Sequence, residues 1–105
     1  MIIDIKDKED LKQNLEENET ILVIIEFFAP WCGSCKTVEG KVQQLATEYN
    51  TVPFLRVNVD ELDQLVEDYN IIALPCFVLM KNKINVGVFT GTNTEKLVES
   101  IIKFK

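Results

Sequence analysis

The chain has 105 residues, 47% hydrophobic and 27% charged, the composition of a single globular domain over residues 1–105 rather than of a disordered chain. A net charge of −6 argues against nucleic acid or an anionic membrane as the main partner, and no apolar run is long enough to cross a bilayer. Three cysteines cannot all pair within one chain, and no basic, apolar leader follows Met1, so the cysteines read as thiols of a reducing compartment.

Met1 to Ile5 reads as a short apolar strand. Asp7 can cap a helix that carries Leu11 and Leu15 on one face, and Asn18-Glu19 breaks it. Ile21 to Phe28 is apolar, β-branched and aromatic, and reads as a buried central strand. Glu26 is the one charged residue in it. Cys35, Val38, Val42, Leu45, Ala46 and Tyr49 recur at helical spacing, so Cys32 to Tyr49 is the central helix, ended by Asn50. Gly40 interrupts that helix. Val52 to Val59 alternates as a third strand. Asp60 can cap a helix in which Leu62, Leu65, Val66 and Tyr69 share a face. Phe77 to Met80 and Val86 to Phe89 are strands joined by a turn at Lys81-Asn82-Lys83. Thr92 and Glu95 have the spacing of a capping box for a last helix, whose buried face is Leu97, Val98, Ile101 and Ile102. The order βαβαβαββα predicts an α/β fold: a mixed five-stranded sheet flanked by four helices, with parallel βαβ units and a final antiparallel hairpin.

Cys32 and Cys35 fall where the central strand ends and the central helix begins. Free N–H groups and the macrodipole at a helix start favour a thiolate, the nucleophilic form of cysteine. A strand, then Cys-x-x-Cys, then a helix reads as a dithiol–disulfide redox site. Half of a zinc site is the competing reading, but the chain has no histidine and one further cysteine, Cys76, so no metal is expected. Trp31, beside Cys32 on a loop, reads as an exposed contact residue. Cys76 reads first as a small buried hydrophobe, and second as a side-reaction thiol lying near the redox pair.

Trp31-Cys32-Gly33-Ser34-Cys35-Lys36 resembles the active-site motif of thioredoxins, and the resemblance runs the length of the chain. Glu26 stands where thioredoxins carry a buried acid, Asp60 where they carry an aspartate near the tryptophan, and Arg56 where many carry a lysine. Leu74-Pro75 matches their cis-proline segment, and Gly91 follows their last strand. The resemblance implies a protein-disulfide reductase with a Cys32–Cys35 redox disulfide, Cys32 attacking and Cys35 resolving. Glu26 would relay the proton of Cys35, with Arg56 moderating it and a plain salt bridge between the two as the competing role. Trp31, Gly33, Ser34, Leu74, Pro75 and Gly91 would receive an extended client segment, with Asp60, Arg56 and Lys36 in support. No cofactor would be bound; electrons would come from NADPH through thioredoxin reductase and pass to clients such as peroxiredoxins, ribonucleotide reductase and methionine sulfoxide reductase. A cytoplasmic monomer is expected, with the nucleus as a further location.

Glu26, Ser34, Gly40, Cys76 and Lys83 depart from the usual family pattern, in which aspartate, proline, proline, threonine and glycine are common. Ser34 supplies an N–H and a hydroxyl that proline lacks, so both are expected near the sulfur, making the pair more oxidising. Two other function classes stand beside the reductase. An oxidase or isomerase usually carries a histidine between the cysteines, where this chain has Ser34. A binding or scaffold subunit has no need of both cysteines.

Overall fold

The computed structural model describes residues 1–105. The elements are β1 (Ile2–Asp4), α1 (Lys8–Glu17), β2 (Val23–Phe28), α2 (Gly33–Glu48), β3 (Phe54–Asn58), α3 (Asp63–Asp68), β4 (Cys76–Lys81), β5 (Ile84–Thr90) and α4 (Glu95–Phe104). They form one five-stranded sheet in the order β1-β3-β2-β4-β5. β3 pairs in parallel with β1 and β2, whereas β4 runs antiparallel to both β2 and β5. The third βαβ segment is therefore not a parallel crossover. α3 has six residues, about 9 Å of helix at 1.5 Å per residue, too short to carry the chain back along the sheet. The chain re-enters at the end where β3 left it, with Cys76 paired to Phe27.

Strand alternation sorts the core onto two faces. Ile24, Phe54, Phe77 and Leu79 pack with Val38, Val42 and Leu45 of α2 and Leu97 and Ile101 of α4. Val23, Ile25, Phe27, Leu55 and Val78 pack with Leu11 of α1 and Leu65 of α3. β2, covered on both faces, is buried from Val23 to Phe27, which is why its sequence shows no polar face. Ile102, expected in the core, is exposed, because α4 buries only the stripe through Leu97 and Ile101.

Two of the expected helix caps are not formed. α1 does begin with Asp7 accepting from the backbone N–H of Asp10 at 2.7 Å. α3 begins after Leu62 with no side-chain cap, since the Asp60 carboxylate is engaged elsewhere. α4 has Thr94 at its N-cap, and the Asn93 side chain accepts from Glu95 N–H at 3.1 Å, displacing the Thr92 box.

Candidate active site

The end of β2, the loop Ala29-Pro30-Trp31 and the first turn of α2 set the two cysteines. Cys32 is the N-cap of α2, with extended backbone, and its Sγ accepts from Cys35 N–H at 3.2 Å. The sulfur thus occupies the position where a capping oxygen usually satisfies a free helix donor. Cys32 and Cys35 are joined as a disulfide, with Cα atoms 5.3 Å apart. Both are 6% exposed, so in this pair Cys35 is no more hidden than Cys32. Ala29, Phe28, Val59 and Leu74 enclose them. This pair carries dithiol–disulfide redox chemistry, because the N-cap position favours a thiolate at Cys32 and Cys35 sits within bonding distance.

The Leu74–Pro75 peptide is cis and forms the facing wall. Gly91, at φ +90°, donates its N–H to the Pro75 carbonyl at 3.1 Å. That backbone conformation favours glycine. Ser34 Oγ donates to the Leu74 carbonyl at 3.1 Å and lies 3.3 Å from Cys32 Sγ. The backbone donor to the sulfur is Cys35, not Ser34, and the Ser34 hydroxyl is shared with a carbonyl; the expectation of two Ser34 donors on the sulfur is corrected accordingly. Pro75 is buried and reaches the rim through its backbone, while Leu74 is half-buried against the cysteines. Trp31 is 68% exposed, and its Nε1–H donates to Asp60 at 3.0 and 3.1 Å from the two oxygens. Gly33 has open space around its Cβ position, so nothing inside the chain requires a glycine there. Ile72, two residues before Leu74, is 96% exposed and went unnoticed in the sequence. Its signal was an apolar residue in a segment belonging to no strand or helix pattern.

Behind the pair, Glu26 is 1% exposed on the face of β2 that meets α2. Its register partner on β3 is Arg56, whose Nε donates to Glu26 Oε1 at 3.2 Å. The guanidinium also lies over the Phe28 ring at 3.8 Å, a cation–π contact that fixes its place. Burial pushes the Glu26 pKa above its ordinary 4.5; Arg56 pulls it down, and Glu39 and Asp4 push it up, with the rise prevailing. The ion pair and the raised pKa therefore coexist. A cleft of about 80 Å³ touches Glu26 and one of about 190 Å³ touches Cys35 and Lys36. Glu39 and Arg56 line both, and neither cleft touches the carboxyl and Cys35 together. The Cys35 cleft is roomy enough for water.

Cys76 is buried on the other face, with α1 and α3, and burial pushes its thiol pKa up. Strand alternation puts it on the side of Phe27, its partner on β2, where at 2% exposure it is the small buried hydrophobe expected, outside the cluster of Ala29, Cys32 and Cys35. No group of three or more His, Cys, Asp or Glu converges as a metal site. A cleft of about 680 Å³ lies between α1 and α3, far from this chemistry, floored by Leu11, Leu15 and Leu65.

The family model described as Thioredoxin matches residues 3–103. Thioredoxin-T of Drosophila melanogaster is 39% identical over 104 residues, which are 98% of this chain and 66% of that protein. Thioredoxin domain-containing protein 2 of Rattus norvegicus is 38% identical over 105 residues, all of this chain but 19% of that protein. The chain thus spans less than two thirds of these relatives' own length. The structure of Fasciola hepatica thioredoxin superposes with a TM-score of 0.94 at 36% identity, covering 98% of this chain and 99% of that one.

Proposed function

The chain belongs to the thioredoxin family, and from that premise we propose that it is a protein-disulfide reductase acting by dithiol–disulfide exchange through Cys32 and Cys35. One observation carries the reading: Cys32 Sγ caps the start of α2 and receives the Cys35 N–H, with Cys35 in bonding position one turn on.

In the first step the Cys32 thiolate attacks one sulfur of a client disulfide. A Cys32–client bond forms, the client S–S bond breaks, and the released client thiolate takes a proton. Cys35 then gives up its proton to water in its cleft, and water passing Glu39 and Arg56 into the adjoining cleft carries it to Glu26. The Cys35 thiolate attacks Cys32 Sγ, forming the intramolecular disulfide and expelling the second client thiolate. Two electrons have passed to the client, whose first thiolate takes its proton from solvent and whose second takes back the one held by Glu26. Trp31, Leu74 and the backbone around Pro75 and Gly91 hold an extended client segment. Thioredoxin reductase, drawing on NADPH, returns the pair to the dithiol, which makes the protein an electron carrier. Clients are thiol proteins of the peroxiredoxin, ribonucleotide reductase and methionine sulfoxide reductase kinds, met in the cytoplasm by a monomer. No helix is long and apolar enough to cross a membrane.

Dithiothreitol-driven reduction of insulin tests the reading. Wild type should accelerate precipitation of the insulin B chain, while Cys32→Ser and Cys35→Ser should fall to the uncatalysed rate. Equal rates with and without the wild-type protein would leave a binding or scaffold role in its place.

A further inference from the structure

The Ser34 hydroxyl has one proton and two acceptors beside it. Its Oγ is 3.1 Å from the Leu74 carbonyl oxygen and 3.3 Å from Cys32 Sγ. A hydroxyl donates one hydrogen bond, so it serves one of the two at a time. In the disulfide the sulfur is neutral and a weak acceptor, and the proton goes to the carbonyl. Reduction and ionisation make Sγ an anion. Hydrogen bonds to ionised partners are roughly twice as strong as neutral ones, so the preference reverses. The Leu74 carbonyl then loses its partner, because no other hydrogen bond from the chain reaches it.

We propose that Ser34 is a positioning residue whose hydroxyl turns from the Leu74 carbonyl to the Cys32 thiolate on reduction, so that the redox state of the pair decides whether that carbonyl is open to a client N–H. The change is a rotation of the hydroxyl; no covalent bond forms or breaks. The neighbouring Pro75 carbonyl does not depend on this hydroxyl, since Gly91, just past β5, donates to it. The reduced protein offers the carbonyl to an oxidised client. The oxidised protein, its work done, takes the carbonyl back and lets the reduced client leave. The client half of this inference rests on the proposed docking of an extended segment beside Pro75.

Other charged groups near the pair are Lys36 and Glu39 on α2, Arg56 on β3, Glu26 on β2 and Asp60 beside Trp31. None of them hydrogen-bonds Cys32 Sγ, whose partners are Cys35 N–H and Ser34 Oγ. All are unchanged in a Ser34 variant, so a loss of coupling there reads on the hydroxyl.

The test follows the carbonyl-carbon chemical shift of Leu74 across pH in oxidised and reduced protein, with Cys32 ionisation read from thiolate ultraviolet absorbance. In reduced wild type the Leu74 shift should follow Cys32 ionisation, and in oxidised wild type it should stay flat. Ser34→Ala should abolish the pH-dependent shift and raise the Cys32 pKa by roughly half a unit. Ser34→Thr, which keeps the hydroxyl, should restore both. A Leu74 shift that follows Cys32 ionisation equally in Ser34→Ala, or a Cys32 pKa that Ser34→Ala leaves in place, overturns the proposal. No client is present in these spectra, so the switch and the insulin-reduction reading fail separately.

Discussion

At neutral pH the carboxyl of Glu26 has lost its water and gained one guanidinium donor, and it is held closer to protonation than a free glutamate. A folded-state pKa above the ordinary 4.5 means that, between those two values, the folded chain binds more protons than the unfolded one. Stability contributed at this site therefore falls as pH rises through that window and stays lower above it. Glu26→Gln keeps an oxygen acceptor for Arg56 and removes the titration. It should stabilise the protein at neutral pH, with the gain shrinking as pH falls through the folded pKa and vanishing near 4.5, read by urea unfolding across pH. Single-turnover kinetics should show slower resolution by Cys35 with the first attack by Cys32 spared. A destabilised Glu26→Gln with unchanged resolution would make Glu26 a salt-bridge residue alone. The position of Glu26 was legible because a lone carboxylate in an apolar strand has few places to go. Its tie to Arg56 was legible only as one of two roles, since register decides whether residues 26 and 56 meet, and they do.

The elements follow from periodicity, and the errors lie at their ends. A cap depends on which acceptor is nearest an N–H, and composition does not say what else competes for that side chain. Asp60 is spent on Trp31, and Asn93 outcompetes Thr92. The direction of β4 is not legible in the sequence, because the apolar stripe from Leu62 to Tyr69 does not show that only six residues are helical. The hairpin turn was legible, though its strain was not: Asn82 and Lys83 both have left-handed backbone, at φ 55° and 62°. Gly40 tests the element scale. It is exposed in the middle of α2, and an added Cβ would meet nothing within 4 Å. Gly40→Ala should therefore stabilise the protein by about 1 kcal/mol, raising the Tm by about 4–8 °C with the urea m-value unchanged. A loss of stability would show that α2 needs its glycine for a reason outside helix propensity.

At the scale of the molecule, one sheet separates two chemistries. Its α2 face carries Glu26, Arg56 and the cleft to Cys35; its α1 and α3 face encloses Cys76 among aliphatic and aromatic side chains. Alternation along β4 gives Cys76 its face, whereas the loop after β2 and the first turn of α2 place the redox pair. The redox pair was legible because a strand, a short loop and a helix at fixed spacing leave Cys32 one place to be. Cys76 was legible as a small buried hydrophobe, but not its face of the sheet, because adjacency to Pro75 in sequence says nothing about which way its side chain goes. In the proposed cycle clients meet Cys32 alone, with Cys35 completing the cycle and Cys76 taking no part. Trapping with Cys35→Ser tests this most directly: the variant is incubated with oxidised insulin, and the adduct is located by mass spectrometry of the unreduced digest. The prediction is a stable mixed disulfide on Cys32, with the same yield when Cys76→Ser is added; an adduct on Cys76, or none on Cys32, would contradict it.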